Sequence, residues 1–451
     1  MLGFYWLHVM VVAAVVVFVI HRYLHNMLSP VPAFCTVLTY MFYSDFLVRG
    51  YDDELIAQIP PVDIIRYQSI VLLVYLIGIA FALSTPPRLA EFKSLFNSDR
   101  LIDWRRCEMA GWGVVFADVL KRLYTTDWSV ATALSQSIGA RGVNSWSSGG
   151  ALGNETFIFS VTLFLLPAGG LCFGTLLTGG NRSTRQRIRS LVGFALIEAL
   201  LFTYGSRTYF AVPLLYYAIR YSFSRVGLAK KLATWFVLAL LVAVTFSVLL
   251  RYRSAGIDDV LKSGKELDVR TVQYHQDDSY YRILYAAYVS DQSTQHPDAG
   301  TFFTVIALNP VPRIVWRNKP ALFDEYWMGY KDYYVTITFV GELIALFGVW
   351  PGALCSLVAV VVIQKMVVRF FGLINRPFGF AIYFISLLYC QQCVRSLMAF
   401  TMSMYPLVGV IGFSLILTRR RPKWRNSTAS PATNPIRLRS RRTVIMSDNI
   451  R

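Results

Sequence analysis

Apolar runs of roughly 17–23 residues recur along most of this chain, each long enough for a helix to cross about 30 Å of hydrocarbon. That recurrence restricts the fold more than any motif does. Residues 11–20 and 235–250 contain no charged side chain. In lipid every backbone amide must bond internally, which leaves helices or a closed barrel. No ten-residue segments of alternating polarity read as barrel strands. Composition agrees: 55% of residues are hydrophobic and 16% charged, against about 25% charged in soluble domains. The expected fold class is therefore an all-α polytopic membrane protein. The run at 2–20 is followed, not preceded, by the basic residues His21 and Arg22. It reads as a retained first span, because a cleaved signal carries its positive charge first.

Charge distribution sets the expected topology, since basic loops stay in the cytoplasm. The formal net charge of +18 is unevenly spread. Segments 21–26, 85–106, 181–189 and 220–231 are basic; the alternate segments 49–67, 124–155 and 205–207 are balanced or acidic, with Asp52, Asp53 and Glu54 in the first. Spans are expected at about 4–20, 31–48, 67–84, 107–122, 156–178, 190–205, 208–222 and 232–250, then at about 350–369, 378–394 and 398–417. Segment 251–335 holds ten Lys/Arg against eleven Asp/Glu and is rich in tyrosine, which suits a long periplasmic loop. Residues 336–348 are apolar but too short for a full span, and read as a re-entrant helix. Counting them as a span would place Lys365, Arg369, Arg376 and the basic tail outside. The expectation is about eleven spans, N-terminus out, in a bacterial inner membrane with the active site facing the periplasm.

The chain divides into four regions: a first helical bundle at 1–250, the loop with its short helix at 251–349, the last three spans at 350–418, and a tail at 419–451. The tail has ten Lys/Arg against the single acid Asp448. With few apolar residues it cannot bury a core, so it reads as a disordered cytoplasmic segment. Its charge also suits anionic lipid.

All six cysteines, Cys35, Cys107, Cys172, Cys355, Cys390 and Cys393, fall in or beside apolar runs. Cys390 and Cys393 make one CxxC, but no second pair or histidine accompanies it. They read as small hydrophobes in packed helices. No metal site and no cofactor is expected.

Charges within or beside spans are costly and tend to mark function. Arg207 lies in LFTYGSRTYFAV between two spans, where snorkelling toward headgroups would explain it equally well. Arg395 follows Gln391 and Gln392 in CQQCVRSLMAF. Two amides and a guanidinium in an apolar hairpin favour a polar site over a lipid face. Arg141 sits in the Gly/Ser-rich loop IGARGVNSWSSGG, a weak signal alone. In the long loop, ALNPVPRIVWRNKP presents Arg313, Arg317 and Lys319 on a backbone stiffened by Pro310, Pro312 and Pro320. Trp316, Tyr326, Trp327, Tyr330, Tyr333 and Tyr334 surround it. Interfacial aromatic rings are ordinary in membrane proteins, though beside cations they also suit sugar faces. Guanidinium matches phosphate bidentately, while lysine acts as a point charge. Arginines converging at the outer leaflet would grip a lipid-linked diphosphate. Nucleic acid is excluded by location despite a pI near 9.7.

Glu342, in FVGELIALFG, is the candidate general base: partial burial of one acid among apolar residues tunes it toward neutrality. A structural pairing with one of the arginines is the equal alternative. His275, Asp277 and Asp278, in YHQDDSYYR, are weaker candidates on a loop expected to be exposed.

With these residues in view, the chain resembles the Wzy-type polymerases of bacterial O-antigen and exopolysaccharide repeat units. The likeness rests on GSR at 205–207, PRIVWRNKP at 312–320 and GELIALFG at 341–348, within a layout covering roughly 1–420. Related O-antigen ligases place a histidine near the start of the helix after the loop; none lies in 326–348, which favours polymerase over ligase. The resemblance implies a metal-independent, inverting membrane glycosyltransferase of the GT-C class. Its donor and acceptor would be undecaprenyl-diphosphate-linked glycans, and a chain-length regulator is a further implied partner beside membrane lipid. Diphosphate is a good leaving group, so arginines can stabilise its growing charge. Arg207, Arg313 and Arg395 would do so catalytically beside Glu342. Arg141, Arg317, Lys319, Trp316, Tyr326, Trp327 and Tyr330 would bind substrate. The alternatives are a transporter or flippase of lipid-linked sugars, which would show midplane charges and an internal repeat, or a ligase-like glycan transferase. A non-catalytic assembly subunit is a further alternative.

Overall fold

Helix starts in this chain are written in its turn residues. Ser29 precedes Pro30, and Pro60 precedes Pro61, so proline stands at the first helical position of two helices, where its missing N–H costs nothing. The Asp103 carboxylate accepts from the Arg105 and Arg106 amides. Ser183 and Gln186 form a reciprocal capping box. A computed structural model of the protein describes residues 2–26, 28–85, 102–138, 154–179, 183–204, 207–223, 229–238, 279–293, 298–308, 338–374, 378–397 and 407–415, with isolated positions between. All of them belong to one unit, Met1–Thr418.

The helices are α1 (Leu2–Tyr23), α2 (Pro30–Arg49), α3 (Glu54–Ala57), α4 (Pro61–Ser84), α5 (Trp104–Thr125), α6 (Val130–Ile138), α7 (Asn154–Thr178), α8 (Thr184–Thr203), α9 (Arg207–Ser222), α10 (Ser279–Gln292), α11 (Ala299–Leu308), α12 (Phe339–Phe347), α13 (Val349–Phe371) and α14 (Gly379–Arg395). Residues 229–238 and 407–415 are helical as well. No strand occurs among the described residues. α1, α2, α4 and α13 are long and apolar enough to cross a bilayer. The chain is thus an all-α protein with membrane-spanning character.

Two helix groups make up the bundle. One gathers α1, α2, α4, α10, α12, α13 and α14; the other gathers α5, α7, α8 and α9 around α7. In the second group the Phe173 ring of α7 is wedged between Gly111 of α5 and Gly193 of α8. A Cβ at Gly111 would stand 2.8 Å from that ring, so these helices meet only because both positions lack side chains. The groups join where Tyr216 of α9 stacks on Phe380 of α14, with centroids 5.5 Å apart.

Segment 279–292 departs from the expectation of an exposed loop. It is α10, and Tyr280, Tyr281, Arg282, Ile283 and Leu284 are buried against α2, α4 and α12. Tyr280 stacks on Phe46 with centroids 4.4 Å apart, and Asp291 accepts from Arg66 and Tyr67 of α4. The tyrosines that made this segment look interfacial instead fill the space over α2. Five of the six cysteines are buried and none forms a disulfide.

Candidate functional site

The polarity of the helices brings several charged residues to one end of the bundle. The Tyr383 hydroxyl, near the start of α14, donates to the Leu28 carbonyl just before α2, so α2 and α14 run parallel and finish together. Tyr216, in the second half of α9, meets Phe380 at the start of α14. The ion pair Arg189–Glu108 and the bond from Tyr204 to Asp118 align α5 with α8. Both therefore end beside the start of α9. Arg207 is the first residue of α9, and Arg395 is the last of α14, at the end where α2 also finishes.

Glu342 is also at this end. Thr338 caps α12 and receives the Glu342 amide in its carbonyl at 2.9 Å. Gly348 closes α12 with a positive φ of 85°, and α13 starts directly. At nine residues, α12 is about 13 Å long, under half the hydrocarbon thickness. Its packing on α13 depends on Gly352, where a Cβ would stand 2.5 Å from the Leu343 carbonyl oxygen. This holds Glu342 fully buried against the chain leaving α14. Ser396 turns that chain into an extended conformation. Its hydroxyl donates to Glu342 Oε1 at 2.5 Å, and the Leu397 amide donates to Oε2 at 2.6 Å. The carboxylate of α12 and the half-buried guanidinium of Arg395 are thus tied to one short stretch of backbone.

Of the other residues singled out from the sequence, Arg141, Arg313, Trp316, Arg317, Lys319, Tyr326, Trp327 and Tyr330 lie outside the described residues, as do His275, Asp277 and Asp278.

A second charged group, where α5 and α8 end, was not anticipated. Asp118, Lys121 and Arg122 of α5 are buried around Tyr204 of the α8 terminus. Arg122 donates to Asp118 at 2.8 Å, to Ser137 of α6 at 3.3 Å and to the Leu200 carbonyl at 3.2 Å. The Tyr204 hydroxyl donates to Asp118 at 2.5 Å and accepts from Lys121 at 2.8 Å. Both cations also stand 5.0 Å from the Tyr204 ring centroid. Two cations and one carboxylate thus share one buried cluster where α5 and α8 end. The signal was present in the sequence: acid and bases at i, i+3 and i+4 near the end of an apolar run share one helix face. Imidazole Nδ1 of His296 adds a further contact, 3.1 Å from the Ala345 carbonyl of α12.

Chemically, a buried carboxylate held on the same short backbone segment as a guanidinium combines a proton acceptor with anion-binding capacity. No family model, no curated protein and no solved structure matches the chain.

Proposed function

We propose that this protein polymerises undecaprenyl-diphosphate-linked oligosaccharide repeat units by inverting glycosyl transfer at the periplasmic face of the bacterial inner membrane. The observation that carries the reading is the tethering of Glu342 to the Ser396 hydroxyl and the Leu397 amide beside Arg395. The resemblance to Wzy-type polymerases at 205–207, 312–320 and 341–348 supports it. The full reading includes eleven spans, a GT-C-like architecture and α12 as a re-entrant helix.

In this mechanism the acceptor sugar hydroxyl attacks the anomeric carbon of the donor. The new C–O glycosidic bond forms as the C–O bond to diphosphate breaks, with inversion. Glu342 receives the hydroxyl proton, and the electron pair leaves on undecaprenyl diphosphate. Arg207, Arg313 and Arg395 stabilise the developing diphosphate charge, a service worth several kcal/mol in a water-poor site. Arg141, Arg317 and Lys319 hold the donor phosphates and the neighbouring aromatic residues hold sugar faces. Two lipid-anchored chains held head to tail supply much of the remaining rate.

The test is a purified, nanodisc-embedded protein given a synthetic lipid-linked repeat unit. A ladder of lengthened glycans is the expected product. Glu342→Gln should lower its rate by about 10²–10⁴-fold, and Arg395→Ala should also abolish the ladder with the protein still folded. Movement of the lipid across the bilayer without lengthening would establish the transporter reading instead. Transfer to an unrelated acceptor in a single step would establish a ligase.

A further inference from the structure

The interior of α8 holds a carboxyl group that the polymerase reading leaves unused, and its role is independent of glycan lengthening. Phe194, Glu198 and Phe202 recur at four-residue spacing and so share one face of α8. Phe194 meets Tyr217 of α9 with centroids 5.9 Å apart, and Phe202 meets Phe210 at 6.4 Å. The two helices are antiparallel there, which sets Glu198 opposite Pro213 and Leu214. Leu214 is buried, and the Pro213 ring packs directly on Gly170 of α7. Glu198 is itself more than nine-tenths buried, and neither of its oxygens has a hydrogen-bond partner among the described residues.

Countercharges on the neighbouring elements are committed elsewhere. On α5, Arg122 is bonded to Asp118, Lys121 to Tyr204, and Glu108 is paired with Arg189. On α9, Arg207 begins this stripe with its side chain outside the described residues, Arg220 donates to Thr178, and the other titratable groups of the stripe are the Tyr209 and Tyr217 phenols; residues 165–178 of α7 contain no acid or base beyond Cys172. Burying an isolated ionised carboxylate in such surroundings is costly. Leucine or glutamine would fill the same volume without that demand. An ionisable group kept in a membrane interior marks ion or proton handling.

We propose that Glu198 is a proton-binding site within the bundle, a neutral carboxylic acid between α8 and α9 that exchanges H⁺ and is open to attack by hydrophobic carbodiimides. The reaction with dicyclohexylcarbodiimide reads the protonated form. The acid O–H adds across one C=N bond, the oxygen joining carbon and the proton going to nitrogen, and an acyl shift to nitrogen then leaves a stable adduct.

The experiment uses the full chain in lipid nanodiscs, with peptide mass spectrometry after dicyclohexylcarbodiimide treatment and infrared spectra of the wild type minus Glu198→Gln. An adduct at Glu198 is expected at neutral pH, absent in Glu198→Gln. The difference spectrum should show a carboxylic-acid carbonyl band, and Glu198→Gln should melt at the wild-type temperature. Failure to form the adduct, a carboxylate band in place of the acid band, or a large drop in Tm for Glu198→Gln overturns the proposal; the last two would reveal an ion pair.

Discussion

Glu342 illustrates how one side chain can be both an anchor and a reagent. Its oxygens accept from Ser396 and Leu397, so the group is oriented by backbone that a substrate does not displace. Separating the two roles needs two variants. Ser396→Ala removes one donor and should cost about 0.5–1.5 kcal/mol of stability, read as a modest fall in Tm, while glycan lengthening persists. Glu342→Gln should abolish lengthening with a similar fall in Tm. If both variants lengthen glycan normally, Glu342 is only an anchor. Arg122 makes a contrasting case. Its guanidinium is spent on Asp118, Ser137 and the Leu200 carbonyl, so Arg122→Ala leaves buried Asp118 without its directly bonded cation. A loss of about 3–5 kcal/mol is expected, measured by thermal unfolding in detergent, and Asp118→Asn/Arg122→Gln should recover much of it. Residue by residue, Glu342 and Arg395 were legible because a lone charge in an apolar run stands out. Lys121 and Arg122 were passed over because they fall at the edge of a run, where snorkelling is the ordinary explanation.

Among the elements, α12 is the one whose placement depends most on a single position. The α12–α13 crossing brings backbone against backbone at Gly352. Gly352→Ala should therefore cost about 1–3 kcal/mol by overpacking and pull Glu342 from Ser396, with lengthening falling more than Tm alone explains. Gly113→Ala, where a Cβ meets nothing within 4 Å, is the matched control. α11 offers a pH-dependent element. Asp298 caps it, accepting from Thr301 side chain and backbone and from Gly300, and these bonds hold its carboxyl below the usual aspartate range. A group lowered in the folded state stabilises above its unfolded value and loses that contribution as pH falls through the folded one. Hydrogen exchange across 299–308 should thus accelerate on acidification below about pH 4, and Asp298→Asn should flatten that dependence. Helix positions were largely readable from apolar periodicity. Their starts were less so: α4 and α8 begin six residues ahead of the expected apolar windows, at Pro61 and Thr184. The capping residues sit in polar sequence that a hydropathy window ignores. α10 was missed because its residues have neither length nor uniform apolarity, and its burial comes from aromatic packing on α2 and α4.

At the scale of the whole molecule, the two helix groups meet through α9 and α14, the helices that carry Arg207 as a first residue and Arg395 as a last one. Phe380→Ala would remove the ring stacked on Tyr216. It should cost about 3–5 kcal/mol and loosen the contact between α9 and α14, read as a lower Tm in detergent. The proposed orientation has its own check. A reporter fused after Asp127 should be active only outside the cytoplasm and one fused after Arg376 only inside; reversed activities would remove the periplasmic site.

Sequence alone determined that this chain is helical and built for lipid, because uninterrupted apolar length and scarce charge admit no soluble solution. It also marked Glu342 and Arg395, since a polar side chain in such a run carries an energetic cost that demands a reason. Only the tertiary structure decided which ends of which helices lie together. Glu342 with Ser396, Lys121 with Tyr204 and Tyr280 with Phe46 are separated by 54, 83 and 234 residues of sequence. Pairings of that kind arise from interhelical packing, through glycine contacts and ring stacking, and local periodicity holds no record of them.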